Sequence, residues 1–210
     1  MPRPTFFNLS ESKRQKITTS LIAEFSQYPL SQGSVARIVR EAEIPRGSFY
    51  QYFDDLEDAY FYVLGLAAEK KMTYLRPILE DLSHLPVIEM VRRLFHEGIV
   101  FAADHPQLVR MAGLFLQEER RIRHEVVSGQ EERAVQFYYD LLLKGRQTGE
   151  IASNVDLRMA AFILFHSQVA LTEKVLRQME LEEGSEELRK FMAEFDTMLE
   201  IILYGITRRD

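Results

Sequence analysis

Apolar residues recur at spacings of three and four along nearly the whole 210-residue chain, and this periodicity most constrains how it can fold. Such spacing places apolar side chains on one face of a helix, as for Ile17, Leu21 and Phe25 near the amino terminus. No segment shows the alternation of apolar and polar residues, bounded by turn signals, that is typical of a β-strand. The sequence therefore predicts an all-α fold.

Proline and glycine residues divide this pattern into short helices followed by longer ones. The pair of Asn8 and Glu11 resembles a capping box for the first helix, and Ser34 can cap the second. The predicted helices are 10–26, 35–42, 46–53, 54–75, 86–103, 106–117, 118–127, 131–147, 156–179 and 185–207. We predict two domains, the first over residues 1–53 and the second over residues 54–210.

The charge of the chain is unevenly distributed along the sequence. Residues 1–53 contain seven basic and four acidic residues, a net charge of +3, whereas the remainder contains 19 basic and 28 acidic residues, a net charge of −9. Such an asymmetry suggests that one segment meets a polyanion while the other repels it. The amino-terminal segment is therefore the candidate for binding nucleic acid.

Two further features concern the location of the protein. The chain contains no cysteine, which excludes disulfides, Cys-ligated zinc and a thiol nucleophile and favours a reducing, cytoplasmic environment. The longest uncharged stretch, residues 159–172, has 14 residues, whereas a membrane-spanning helix needs about 20. We expect a cytoplasmic protein that is neither exported nor embedded in a membrane.

The third predicted helix has the chemistry needed to read DNA. Phe49 and Phe53 lie four residues apart and can pack against the preceding helices. The opposite face offers polar side chains that can hydrogen-bond to phosphates and base edges in a major groove about 12 Å wide. These side chains belong to Arg46, Ser48, Tyr50, Gln51 and Tyr52. Gly47 would let the start of the helix approach the sugar–phosphate backbone closely.

These residues resemble a known family. The segment 34–53, with its Gly-Ser-Phe-Tyr-Gln-Tyr-Phe run and the acidic residues that follow, resembles the DNA-binding domain of TetR-family bacterial transcriptional regulators. The resemblance covers residues 10–66 and extends to the rest of the chain in outline. It implies an N-terminal three-helix domain with a helix-turn-helix and a larger helical C-terminal domain for ligand binding and dimerisation.

The resemblance also implies partners and site residues. A homodimer would place its two helix-turn-helix motifs on a palindromic operator in double-stranded DNA, and a small-molecule effector would change their spacing. The positions that match the DNA-facing residues of the family are Ser34, Arg46, Gly47, Ser48, Tyr50, Gln51 and Tyr52. Two positions depart from the family pattern, because Glu43 stands where glycine is usual in the turn and Leu56 stands where a phosphate-contacting lysine is common.

Other interpretations of these residues are open at this point. Tyr50 and Tyr52 can be partly buried against the first helix without contacting DNA. Arg37 and Arg40 can contact phosphate or simply occupy a solvated helix face.

The last two predicted helices carry apolar stripes that predict a dimer interface. Two adjacent helices of this kind can form half of a four-helix bundle between subunits. The predicted interface residues are Leu164, Gln168, Leu171, Leu188, Phe191, Phe195, Met198 and Ile202. The alternative is that these stripes pack within their own chain.

Aromatic and thioether side chains on the central helices are candidates for an effector pocket. A helix-lined cavity with few polar groups suits an unknown small apolar effector. The candidate residues are Tyr62, Phe95, Met111, Phe115, Tyr138, Phe162 and His166. The alternative for each residue is ordinary core packing, and for His166 a buried imidazole with its hydrogen bonds satisfied.

Enzyme motifs are absent from the sequence. There is no P-loop, no dinucleotide-binding glycine motif and no nucleophile elbow, and His124 lacks the second histidine of a zinc-protease helix. We therefore predict no enzyme activity, no cofactor and no metal site. The sequence predicts a ligand-responsive transcriptional regulator, specifically a repressor. One alternative is a helical small-molecule-binding or enzymatic bundle that does not bind DNA. Another is an activator or a non-regulatory DNA-bending factor, which would share the same DNA-binding domain.

Overall fold

A computed structural model of the chain describes residues 1–81, 84–116, 118, 130–178 and 186–204. All regular secondary structure in these residues is helical, so the predicted all-α class is confirmed. The helices are α1 (Pro4–Phe7), α2 (Glu11–Phe25), α3 (Val35–Glu41), α4 (Arg46–Tyr52), α5 (Leu56–Asp81), α6 (Val87–Asp104), α7 (Pro106–Leu116), α8 (Gln130–Thr148), α9 (Leu157–Gln178) and α10 (Glu186–Tyr204).

The helix boundaries differ from the prediction at the amino terminus. The sequence does not predict α1, and the side chain that caps α2 belongs to Ser10, whose hydroxyl accepts from the Lys13 N–H. Asn8 instead follows the last residue of α1. The predicted capping box at Asn8 was therefore wrong, because the chain before α2 already forms a helical turn.

The end of α5 also differs from the prediction. The helix continues through Pro77 to Asp81, although proline removes a backbone hydrogen bond in a helix interior. Ile78 and Leu79 pack against a buried apolar cluster, and this burial offsets the missing hydrogen bond. The predicted helix over 118–127 lies outside the described residues, apart from Glu118.

The chain forms two compact units. The first unit comprises Met1–Met72 and His105–Val126, and the second comprises Thr73–Asp104 and Val127–Asp210. The domain boundary that we predict after residue 53 lies inside the first unit. None of the described helices combines the length and the apolar character needed to cross a membrane.

Each unit has its own apolar core. The first core contains side chains with no solvent exposure, including Phe25, Ile38 and Met111. The second core is formed mainly by α6, α8, α9 and α10, and the rings of Phe95 and Phe195 stack in it with centroids 5.0 Å apart. Residues with predicted functions lie in both units.

Candidate nucleic-acid interface

The start of α3 is fixed by the predicted serine cap. Ser34 has extended backbone angles, and its hydroxyl accepts from the Arg37 N–H at 3.4 Å. This bond satisfies one of the amide groups that lack a partner in the first turn of a helix. Ile38, one turn further on, is completely buried. The predicted cap at Ser34 is therefore confirmed, and α3 is anchored by its apolar face.

A buried carboxylate on α2 locks this cap in place. Glu24 accepts from the Ser34 N–H at 2.7 Å and from Arg37 Nη2 at 2.5 Å. Arg37 also donates to the Gln32 carbonyl at 2.8 Å, and its guanidinium carbon lies 4.0 Å from the centre of the Tyr28 ring. The hydrogen bond to Glu24 raises the pKa of Arg37. The guanidinium of Arg37 therefore contacts residues of its own unit, namely Glu24, Gln32 and Tyr28.

Helix α4 divides into a buried and an exposed face. Phe49 and Phe53, the residue directly after the helix, are completely buried, with ring centroids 5.3 Å apart. The opposite side is solvent-exposed or partly exposed, and Tyr50 retains 41% of its accessible surface. This side carries Arg46, Gly47, Ser48, Tyr50 and Gln51. The predicted inward orientation of the two phenylalanines and the exposure of these polar residues are confirmed.

Tyr52 does not share this exposed face. Its side chain is only 5% exposed, and its ring centroid lies 6.1 Å from that of Phe6 in α1. The prediction that Tyr52 lies on the exposed face was wrong, because the chain before α2 folds over the end of α4. Of the two interpretations given for Tyr50 and Tyr52, burial is observed for Tyr52 alone.

The structure shows how Glu43 and Leu56 are accommodated at the two positions that depart from the family pattern. Glu43 has a φ of 53°, the left-handed conformation that glycine usually supplies, and its carboxylate pairs with Lys16 Nζ at 2.6 Å. The hydrogen bond from Lys16 lowers the pKa of Glu43. Leu56 packs against Gly33, where an added Cβ would lie 2.9 Å from Leu56 Cδ2. Leu56 therefore has a packing role at the position of the usual lysine.

A second buried carboxylate reaches the segment that precedes α3. Glu118 is 7% exposed and accepts from the Leu30 N–H at 2.6 Å. Leu30 begins a short 3₁₀ turn, Leu30–Gln32, that leads to the Ser34 cap. Burial raises the pKa of the Tyr60 phenol, and the charge of Glu118 adds to this effect. Carboxylates thus hold both ends of the segment from Leu30 to Ser34.

The predicted pocket residues are divided between the two units. Tyr62, Met111 and Phe115 belong to the first unit, where the Tyr62 ring packs against Phe6 with centroids 5.2 Å apart. The others, Phe95, Tyr138, Phe162 and His166, belong to the second unit.

Within the second unit, these four residues have different surroundings. Phe95 and Tyr138 are buried, and the Tyr138 hydroxyl donates to Gln168 Oε1 at 2.9 Å. Burial also raises the pKa of Tyr138. Phe162 is 47% exposed, and His166 Nε2 lies 3.3 Å from Glu131 Oε1. His166 is thus partly exposed beside a carboxylate, which differs from the alternative of a buried imidazole with its hydrogen bonds satisfied.

The residues of the predicted dimer seam face mainly into their own unit. Leu164 and Phe195 are buried in the second core, and Met198 and Ile202 pack against it. Gln168 accepts from Tyr138, as described above. The side chains of Leu171, Leu188 and Phe191 lie outside the described part of the structure. For Leu164 and Phe195, the arrangement favours packing within the chain, which was the alternative for these stripes.

A different set of apolar residues on the same two helices is exposed. Met159, Phe162 and Ile163 share the outer face of α9, and Ile201 and Tyr204 are exposed on α10. Both helices carry apolar residues on two faces, so periodicity alone could not decide which face packs into the core.

Sequence reasoning also missed several residues that organise the first unit. The signal for Glu24 is present, because an acidic residue stands on the apolar face defined by Ile17, Leu21 and Phe25. Glu118 gives no such signal, because its partner Leu30 is 88 residues away in the sequence.

The fold matches solved structures along almost its whole length. A TetR-family transcriptional regulator from Chloroflexus aurantiacus J-10-FL is 27% identical, with 100% of both chains covered and a TM-score of 0.71. The transcriptional regulator FadR from Bacillus subtilis, in complex with stearoyl-CoA, is 18% identical over 92% of this chain and 99% of that chain, with a TM-score of 0.74. A ketosteroid transcriptional regulator of Mycobacterium tuberculosis is 19% identical over 96% of this chain and 98% of that chain, with a TM-score of 0.68.

No protein-family model and no curated protein sequence matches the chain. Its relationship to these proteins thus rests on the full-length structural match at 27% identity, together with the cap at Ser34 and the two faces of α4. These findings support a TetR-family transcriptional regulator, and the chain has the TetR fold.

Proposed function

We propose that the protein is a cytoplasmic transcriptional repressor that binds a palindromic DNA operator as a homodimer and is released by a small apolar effector. The observation that carries this proposal is the division of α4. Arg46, Tyr50 and Gln51 are exposed on one side, while Phe49 and Phe53 anchor the other side in the core. A helix that is packed on one side and exposes polar side chains on the other has the arrangement that a recognition helix needs.

The exposed side chains can supply both sequence readout and phosphate contacts. Arg46 can donate two hydrogen bonds to O6 and N7 of a guanine, and Gln51 can pair with N6 and N7 of an adenine. The Tyr50 hydroxyl can reach a phosphate or a base edge. Gly47 is exposed and has no neighbouring atom within 4 Å of an added Cβ, so the side of α4 at Gly47 is open to a close approach.

The exposed apolar face of α9 supports dimerisation. Met159, Phe162 and Ile163 lie on this face, and exposed apolar patches commonly mark protein interfaces. In the proposed dimer, α9 and α10 pair with the same helices of a second copy, and two α4 helices enter major grooves about 34–36 Å apart. The proposed interface therefore contains the outer stripe of α9 in place of Leu164 and Phe195.

The proposal for an apolar effector rests partly on the similar structures. The Bacillus subtilis regulator is in complex with stearoyl-CoA, and the Mycobacterium tuberculosis protein is named a ketosteroid regulator. An effector of this protein would favour a conformation whose α4 spacing no longer matches the operator. It can shift the equilibrium only by its differential affinity for the two conformations.

DNA recognition is tested by selection from a random duplex library, followed by footprinting and titration of the selected site. Arg46→Ala is expected to lose about 1–3 kcal/mol of binding free energy and to relax base preference at one position. The matched control is Arg93→Ala, because Arg93 is an exposed arginine on α6 in the second unit. The control should bind like the wild type.

Dimerisation is tested by sedimentation equilibrium. Phe162→Glu is expected to yield monomers, because it places a charge in the proposed apolar interface, whereas Phe137→Glu, at an exposed phenylalanine of α8, should remain dimeric. A wild-type monomer, or a protein that selects no palindromic site, would contradict the proposal.

Effector binding is tested by thermal shift with a panel of acyl-CoAs and steroids. A ligand at one hundred times its Kd stabilises the folded state by about 2.7 kcal/mol and should raise Tm. The same compound should release the selected operator. A compound that raises Tm without changing operator affinity would argue against its role as effector.

A further inference from the structure

The segment before α2 encloses the carboxyl-terminal end of the proposed recognition helix. We call residues 3–6 the N-terminal clamp. They lie next to α4 and to the residues just after it, and they form contacts with both its backbone and its neighbouring side chains.

The clamp supplies donors to the last carbonyl groups of α4. A helix leaves its final carbonyls without partners inside the helix. Here the Thr5 hydroxyl donates to the Gln51 carbonyl, and the Arg3 N–H donates to the Tyr52 carbonyl at 2.8 Å. The clamp therefore acts as a carboxyl-terminal cap for α4.

Side chains fasten the clamp at both of its ends. Arg3 donates through Nε and Nη2 to Asp54 Oδ1, at 2.8 and 2.6 Å. Phe6 is completely buried, and its ring centroid lies 5.0 Å from that of Phe53 and 5.2 Å from that of Tyr62. Thr5 is thus held between an ion pair and an apolar anchor.

The length of α4 explains why such a cap matters. Helix α4 has seven residues, whereas isolated helices shorter than about 12–15 residues are marginal in water. Its orientation therefore depends on contacts outside the helix. Phe49 and Phe53 fix one side of it, and the clamp fixes its end.

We propose that the N-terminal clamp is a positioning element for DNA sequence recognition, in which Thr5 sets the orientation of Gln51 by holding its backbone carbonyl. This inference rests on the proposed function, because Gln51 must read a base for its orientation to matter. Thr5 itself contacts no base in this proposal.

Because this hydrogen bond is exposed to solvent, its loss should affect the position of α4 more than the stability of the protein. Both Thr5 and Gln51 are solvent-exposed, so water can replace the Thr5 hydroxyl as a partner of the carbonyl. Loss of the bond should therefore change Tm little. It should instead allow the end of α4 to move and weaken the distinction between bases at the position that Gln51 reads.

The test compares Thr5→Val, which removes the hydroxyl at nearly constant shape, with Thr19→Val at an exposed threonine of α2. Library selection and titration with single base-pair variants measure base preference. Thr5→Val is expected to lose about two- to tenfold in discrimination, at the same base pair that Gln51→Ala affects. Thr19→Val should retain the wild-type preference, and so should Thr5→Ser, because serine keeps the hydroxyl.

Hydrogen exchange of the DNA-free protein provides a readout that does not depend on DNA. Amides of residues 46–53 should exchange faster in Thr5→Val than in the wild type, and Thr19→Val should leave them unchanged. If the wild type selects no DNA, the proposed function and the recognition role both fail, while faster exchange would still support the clamp.

Two results would overturn the positioning role outright. One is unchanged exchange together with unchanged base preference in Thr5→Val. The other is a fall in Tm with uniformly weaker binding to every sequence, since this pattern indicates a merely structural contact.

Discussion

The first unit contains the shortest helices, whose ends are held by polar contacts, whereas the second unit consists mainly of long helices that pack through apolar stripes. Helices α1, α3 and α4 have four, seven and seven residues, compared with 18 residues in α6 and 22 in α9. Every helix end exposes backbone groups without partners, so short helices have many such groups per residue. The two units thus face different structural requirements.

Specific polar side chains meet this requirement in the first unit. Ser10 and Ser34 cap α2 and α3, and Asp55 accepts from the Asp58 N–H at the start of α5. Glu24 and Glu118 hold the backbone before α3. Each contact depends on one side chain at one position, so the local geometry is encoded residue by residue.

The second unit also has helix-start acceptors, Glu150 for the Val87 N–H and Asp156 for the Met159 N–H, but its long helices are held together mainly by apolar side chains that are more interchangeable. Phe95 and Phe195 stack within an apolar cluster, while Arg92 pairs with Asp196 and Glu200 at its surface. Many combinations of large apolar residues can fill such a core. The comparison indicates that the loss of a single capping contact should matter most at the short helices of the first unit, whereas large losses in the second unit should come from apolar truncations.

The largest expected effect is the truncation of an aromatic residue in the second core. Phe195→Ala removes a ring that is 1% exposed, and we expect a loss of about 3–5 kcal/mol in the free energy of unfolding. The control is Phe162→Ala, at the exposed face of α9, measured at protein concentrations where the chain is monomeric. Urea denaturation measures both, and equal losses would contradict the assignment of the two faces.

Truncation of a buried acceptor should have the next largest effect. Glu118→Ala leaves the Leu30 N–H without its acceptor, and we expect a loss of about 1–3 kcal/mol by urea denaturation. Glu118→Gln keeps an acceptor oxygen and should lose less. If both variants were as stable as the wild type, buried polar contacts would not be needed for the stability of the first unit.

The contrast between the units also explains how much of the structure could be predicted. The Ser34 cap, the buried faces of Phe49 and Phe53 and the unusual Glu43 turn follow from local signals, and the structure confirms the cap and the burial. The left-handed backbone of Glu43 likewise agrees with the glycine that is usual there. These features depend on residues close together in the sequence.

Features that depend on distant residues were not predictable from local signals. Tyr52 is buried because α1 covers it, and Glu118 is buried beside a turn 88 residues earlier. Helix α9 carries apolar residues on two faces, one containing the buried Leu164 and the other the exposed Ile163. Periodicity identifies both stripes, but only the tertiary fold decides which one faces the core.

A smaller effect is expected from the loss of the α3 cap. Ser34→Ala removes the acceptor for the Arg37 N–H, and such substitutions typically cost about 0.5–2 kcal/mol. Ser34→Asp retains an acceptor and should remain closer to the wild type. The exposed Ser31 provides the control, since Ser31→Ala leaves the cap intact. A wild-type midpoint in urea for Ser34→Ala would show that Glu24 alone fixes the start of α3.

The smallest expected effect concerns the exposed pair of Lys16 and Glu43. The hydrogen bond from Lys16 lowers the pKa of Glu43 in the folded state, so the pair stabilises the protein above the unfolded-state pKa of the carboxyl. This stabilisation is lost as the pH falls through the lowered folded-state pKa. The Tm difference between the wild type and Lys16→Met should therefore be present near neutral pH and disappear in acid.

Thermal unfolding across this pH range, with Lys13→Met as a control on the same helix, measures the effect of the pair. The difference should be small because exposed ion pairs contribute little, and added salt should reduce it further. A Glu43→Gln background should abolish it, since no carboxylate remains to titrate. A Tm difference that is independent of pH would mean that Lys16 acts through packing of its stem, as apolar side chains act in the second unit, and would weaken the contrast between the two units.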